Sequence, residues 1–176
     1  MIAIKPAHLL GQEKEVIVKK AAVISSIVVV AVLTALGQKN QRVAADFIAA
    51  WNSHDVEKVA PVFTNDVLYE DVTFGAVNHG SAELRKFATS IFQAVPDVKF
   101  DLVNSSINGG HGTIEWVFTG TDKGLYKTGK RFSVRGVSVI DLRGDKISRN
   151  LDFYDAASIM RQVGLLSSDE KSDRAK

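Results

Sequence analysis

The feature that most constrains this chain is a change of hydrophobic period at Pro96. Before it, apolar residues recur at helical spacing: Val43, Ala44, Phe47, Ile48 and Trp51, then Leu84, Phe87, Ala88, Ile91 and Phe92. After it, Val98, Phe100 and Leu102 alternate with polar residues, the period of a half-buried strand. Asn108-Gly109-Gly110 and Arg143-Gly144-Asp145 read as hairpin turns between long strands. Helices followed by an antiparallel meander make an α+β chain.

The local signals predict these elements in order. Residues 41–51 form a helix, broken by Asn52-Ser53-His54-Asp55. Asp55 caps a short second helix over 56–63, kinked or ended by Pro61. Val67–Asp71 is a strand, and Ser81 caps a third helix that Pro96 stops. Four strands follow: one from Val98, then Thr113–Thr121, Arg131–Leu142 and Lys146–Tyr154. Asp155 caps a last helix over 156–163, closed by Gly164. A curved, mostly antiparallel sheet wrapped around N-terminal helices is a cone-shaped α+β barrel, and its hollow is where a ligand would sit.

The flanks differ in kind. Residues 21–37 are apolar or small, follow Lys19 and Lys20, and end Ala35-Leu36-Gly37. This is the pattern of an export signal, or of an uncleaved anchor with the lysines on the cytoplasmic side. The expected organisation is a leader or anchor at 1–37, one domain at 38–166 and a charged tail at 167–176. The domain is then exported, secreted or periplasmic, or held to a membrane by 21–37 alone. The leader carries four lysines and two glutamates of the 22 basic and 20 acidic residues, so the remainder is balanced. A balanced domain has no electrostatic footprint for nucleic acid. With no cysteine in the chain, disulfides, thiolate metal sites and a cysteine nucleophile are excluded. His54, His79 and His111 are scattered without ligand spacing, so no metal is expected.

Acidic residues on strands carry the chemical signal. On 146–154, Ser148, Asn150, Asp152 and Tyr154 share one face by alternation, and Ile147, Arg149, Leu151 and Phe153 the other. Tyr69 and Asp71 share a face of the earlier strand. Two carboxylates aimed into one apolar cavity are a place for proton chemistry, because burial raises a carboxyl pKa toward neutrality. The plainer alternative for each is a strand-end residue bonded to backbone. Glu115 joins the cavity if Trp116 and Phe118 face outward, and is solvated in the opposite phase. Lys123, Lys127, Lys130 and Arg131 around Tyr126 read as a solvated basic loop.

Several segments, in order, resemble the SnoaL-like polyketide cyclases of the nuclear-transport-factor-2-like superfamily, which includes ketosteroid isomerase. They are Asn52-Ser-His-Asp55, Asn78-His-Gly80, Phe92-Gln-Ala-Val-Pro-Asp97, Phe118-Thr-Gly-Thr121, Gly129-Lys-Arg-Phe132, Val134-Arg-Gly-Val-Ser138, Gly144-Asp-Lys-Ile147, Asp152-Phe-Tyr-Asp155 and Arg161-Gln-Val-Gly164. The resemblance spans about 41–166. It implies an acid/base aspartate at Asp152 and a second at Asp71. It also implies a pocket for a small hydrophobic carbonyl compound, touched by Phe47, Trp51, Tyr69, Glu115, Asn150 and Tyr154. Cofactor-free isomerisation, cyclisation or hydration would need side chains only, and pairing through the outer sheet face would make a homodimer. The chain departs from relatives of this fold in three ways. The isomerase's hydroxyl donor on the first helix falls on Phe47, and its protonated-aspartate donor falls near Gly136. The arginine that epoxide hydrolases need falls on Glu115. Because the fold hosts both enzymes and binding modules, a non-catalytic ligand- or protein-binding domain is the second reading.

Overall fold

The computed structural model describes residues 42–167. The leader or anchor expected at 1–37, and the tail beyond 167, lie outside the described residues. Helix α1 covers residues 42–52. Asp55 then accepts the N–H of Glu57 and starts α2, Val56–Val59. Pro61 tightens the continuation into a 3-10 turn, Ala60–Val62, which is shorter than the expected helix. The chain enters β1 at once, Phe63–Asp71.

A short strand β2, Ala76–His79, was not legible in the sequence. It turns back on β1 after Gly75, which adopts positive φ. The strand runs directly into α3, Gly80–Ala94, so His79 takes the cap position rather than Ser81. Glu83 accepts the His79 N–H at 2.7 Å, and Ser81 lies in the first turn against Arg85. The remaining elements are β3, Lys99–Asn108, β4, His111–Thr121, β5, Arg131–Arg143, β6, Lys146–Tyr154 and α4, Ala156–Gln162. Asp155 caps α4 by accepting the Ser158 N–H. Among the described residues no helix is long and apolar enough to cross a membrane.

The sheet is six-stranded, in the order β2-β1-β6-β5-β4-β3. The four strands from β6 to β3 are the expected antiparallel meander, and the pairing added to it is parallel: β1 lies beside β6. That pairing joins the two ends of the domain. Helix α3 packs on β1, and Leu84, Ala88, Trp51, Phe63 and Val67 meet in the core beneath the sheet.

Two local features set which side chains face inward. On β4, Ile114, Trp116 and Phe118 are buried, because that phase hides more apolar surface than Thr113, Glu115 and Val117. On β6 a bulge at Ser148 shifts the register, with Asp141 opposite Arg149 but Leu142 opposite Ile147. Ile147 therefore faces the core and is fully buried, against the simple alternation that put it outside. From Asn150 on, the expected alternation holds.

Gly136 marks a close approach. A Cβ there would lie 2.2 Å from the Trp116 ring and 2.9 Å from the Phe153 carbonyl. The substitution Gly136→Ala is expected to lower unfolding free energy by about 1–3 kcal/mol through overpacking. Urea unfolding followed by tryptophan fluorescence checks it.

Candidate active site

The parallel pairing of β1 with β6 builds the site. Its register sets Tyr69 beside Asn150 and Asp71 beside Asp152. All four are buried, and so is Ser138 on β5, which is opposite Asp152 in the next pair. The two carboxylates thus stand side by side on one face, inside the apolar core. Trp51, Tyr69, Phe87, Phe100, Trp116, Phe118 and Tyr154 line a small cavity with them. Its free space is about 30 Å³, room for one or two waters.

Each carboxylate is held by donors. Asp152 accepts the Ser138 hydroxyl on Oδ1 at 2.6 Å and the Asn150 amide on the same oxygen at 2.7 Å. Its Oδ2 accepts a short bond from the Tyr69 hydroxyl. Ser138 in turn accepts Trp116 Nε1–H at 2.9 Å. An indole nitrogen only donates, so the single Ser138 proton is committed to Asp152. Asp71 accepts the Tyr154 hydroxyl at 2.7 Å and the Phe74 N–H at 3.0 Å. The result is two tyrosine–aspartate dyads crossing between adjacent strands.

Burial dominates the electrostatics. Loss of solvent pushes the Asp152 carboxyl up to about 6, against the pull of its three donors and with the Asp71 charge adding to the rise. Burial also raises Asp71, with the bond from Tyr154 opposing. Tyr69 and Tyr154 are pushed up, first by burial and then by the neighbouring aspartate charges, so both hydroxyls stay protonated and donate. When Asp152 takes a proton, Oδ1 is already met by two donors, so the proton belongs on Oδ2. The Tyr69 hydroxyl must then turn its own proton to another acceptor.

The structure brings Asp71, Asp152, Tyr69, Tyr154 and Trp51 to the cavity wall. It does not bring the others there. Glu115 lies on the outer sheet face, paired with Arg135, because Trp116 and Phe118 took the inner phase. Phe47 is core, its ring packed against Trp51 and edge-on to Phe63. Asn150 is buried behind Asp152 and holds that carboxylate, without lining the cavity. Ser138 went unrecognised in sequence, although a signal existed: it is the polar member of the inward-facing alternation Phe132, Val134, Gly136, Ser138, Ile140.

Two loops meet beside Tyr154. Phe74 packs on both Tyr154 and Tyr126. Buried Asp122 shapes the basic loop by accepting the N–H groups of Tyr126, Lys127 and Thr128 and the Thr128 hydroxyl. Burial alone would raise Asp122, but these donors outweigh it and hold its pKa low. Among the described residues no group of three or more His, Asp or Glu side chains is set to hold a metal ion.

Comparison with known proteins adds four findings. The SnoaL-like domain family matches residues 44–150. The chain is 34% identical over 110 residues to cyclase aurE of Calcarisporium arbuscula, covering 61% of this chain and 80% of that one. Among solved structures it resembles a protein of ketosteroid isomerase-like fold from Catenulispora acidiphila, crystallised with trimethylamine. That match has a TM-score of 0.66 at 25% identity, covering 70% of this chain and 93% of the other. TsrD from Streptomyces laurentii shares the fold, with a TM-score of 0.65 at 21% identity over 73% and 97% of the two chains.

Stability should respond to Asp152 between about pH 4 and 6. The folded carboxyl keeps its proton to about 6, whereas an ordinary aspartate loses it near 3.8. The folded state therefore binds the extra proton in that window, and stability falls as pH rises through it, then levels off. The full span corresponds to roughly 3 kcal/mol. Asp122, with its lowered pKa, destabilises only on acidification below that window. Denaturant unfolding at pH 4.5 and 7 should show the wild type losing stability on the way up, and Asp152→Asn losing much less. A wild type equally stable at both values would contradict the assignment. Ser138→Ala, which removes a donor from the carboxylate, should raise the Asp152 pKa above about 6, read from its carboxyl carbon chemical shift.

Proposed function

Because the chain belongs to the SnoaL-like domain family, we propose that it binds a small hydrophobic carbonyl compound and moves a proton on it without a cofactor. The observation that carries this reading is the pair of buried carboxylates set in register on β1 and β6, each capped by a tyrosine, in an apolar cavity. Ionised Asp152 is the general base. It takes a proton from a carbon next to the carbonyl, and the C–H electron pair moves to give an enolate. Asp152 then returns the proton to another carbon, or the enolate carbon attacks a second carbonyl, closing a ring, and Asp152 returns the proton to the alkoxide oxygen that forms. Asp71 with Tyr154 is the second acid/base pair. The likeness to cyclase aurE supports ring closure as the form of the reaction. A ligand larger than a few atoms needs the half-buried wall of Phe87, Ile91 and Phe100 to move aside.

One observation favours a second reading, a non-catalytic binding module. Both carboxylates are already bonded within the protein, and the free space is small. Mutant stability separates the two. Acids kept for chemistry can be neutralised at little or no cost. Acids that serve only to satisfy buried donors should lose about 1–3 kcal/mol as Asp152→Asn or Asp71→Asn.

The direct test is exchange of α-protons in D₂O, followed by proton NMR over a panel of cyclic ketones and β-diketones. Catalysed exchange is expected, declining as pH falls below about 6, where Asp152 gains its proton. Asp152→Asn should slow it by about 100-fold or more. Undiminished exchange in that variant would sink the role given to Asp152.

The outer sheet face is proposed to pair two copies. Val137, Val139, Leu151 and Phe153 adjoin there in register, and Phe153 is 40% exposed. Val137→Asp is expected to convert a dimer to a monomer in sedimentation velocity, and a wild type sedimenting as a monomer at micromolar concentration would refute the pairing.

A further inference from the structure

Four of the side chains that line the aspartate cavity carry an N–H or O–H donor: Trp51, Tyr69, Trp116 and Tyr154. Three are committed within the protein. Tyr69 donates to Asp152, Tyr154 to Asp71 and Trp116 to Ser138. Trp51 is the exception. Its side chain is 2% exposed, and its Nε1 is buried with no hydrogen-bond partner. A buried indole N–H ordinarily has an acceptor, because burying it without one is costly.

Packing does not account for the indole. Rings of Phe47, Tyr69, Phe87, Phe92 and Phe100 surround Trp51, and a purely apolar side chain would meet them without an orphan donor. Phe47, one turn earlier on the same face of α1, shows that this helix face accepts a ring without a polar atom. The acceptors in the cavity are carboxylates engaged by tyrosines, so the space beside Trp51 offers an incoming oxygen one uncommitted donor.

We propose that Trp51 Nε1–H receives an oxygen of the bound ligand, a carbonyl in the resting state and an enolate once a proton has left the carbon. The proposal rests on the reading of the cavity as a proton-transfer site and assigns its ligand a hydrogen-bond-accepting oxygen beside a ring-packed carbon frame. A neutral, buried donor fixed by aromatic packing favours the oxygen as charge develops on it, since it needs no reorganisation at that moment. Asp152 and Trp51 then divide the work, one handling the proton and the other the oxygen.

The full chain has two tryptophans, so ¹⁵N labelling gives two indole N–H signals, and Trp51→Phe assigns them. Cyclohexenone and phenol serve as oxygen-bearing probes and benzene as the apolar control. With the oxygen probes the Trp51 indole proton should move downfield and the Trp116 signal should stay; benzene should produce no downfield shift. Trp51→Phe should bind the oxygen probes about tenfold more weakly, about 1.4 kcal/mol, bind benzene within twofold of wild type, and melt no lower. A probe that shifts the Asp152 carboxyl carbon, leaves the Trp51 N–H unmoved and binds Trp51→Phe equally well overturns the proposal and leaves the acid/base reading standing. Probes that perturb neither residue overturn both. The wild-type titration decides the matter even where the variant folds poorly.

Discussion

The pairing of β1 with β6 is the interaction on which the rest depends. It is the one parallel contact in an otherwise antiparallel sheet. It ties the N-terminal helices to the C-terminal meander, and its register puts two aspartates on one buried face. A shift of one residue would turn Tyr69 and Asp71 outward and leave Asp152 without its tyrosine. Register is therefore held from both sides: by Phe63, Val67 and Tyr69 packing into the core, and by the Val72 N–H donating to the Asp152 carbonyl.

Burying two carboxylates in that position is expensive, and the surrounding donors offset only part of it. Asp152 has three hydrogen bonds and still sits near neutrality in its titration, because desolvation outweighs them. A fully compensated acid would be ordinary in its pKa and fixed in its charge. Partial compensation leaves a group that can take or give a proton at physiological pH. Ser138, oriented by Trp116, and Asn150 add direction: by filling Oδ1 they leave Oδ2, the oxygen beside Tyr69, for the exchangeable proton. The cavity thus combines a poised acid, a defined proton position and an uncommitted indole donor within one ring-lined space.

Much of the architecture was legible. The change of period at Pro96, the glycine-bearing turns and the aspartate caps located α2, α4 and the long strands closely, because these signals are local. What escaped was decided by neighbours. Strand β2 is four residues long, with alternating exposure and no apolar run. Its existence depends on β1 being there to pair with. Ser81 looked like a cap, yet the continuous passage from β2 into α3 gave that place to His79. The bulge at Ser148 reversed the side taken by Ile147 and has no signature in composition. At the site, Asp71, Asp152, Tyr69 and Tyr154 could be proposed from alternation on single strands. Glu115 could not be placed, because its phase depended on which set of β4 residues the core would accept.

The sequence alone determined the class of fold, the order of the helices and the longer strands, and which residues were candidates for proton chemistry. Each of these follows from local period, turn chemistry and side-chain type. Only the tertiary structure decided which of those residues meet. The Tyr69–Asp152 bond joins positions 83 residues apart, and the Ser138 bond to Asp152 crosses between strands. No local pattern encodes such pairings, because they arise when β1 and β6 come together and water leaves the space between them. The same closure made Trp51 a donor without an acceptor: an indole is unremarkable in a sequence, and becomes informative once the three other donors lining the cavity have found their partners.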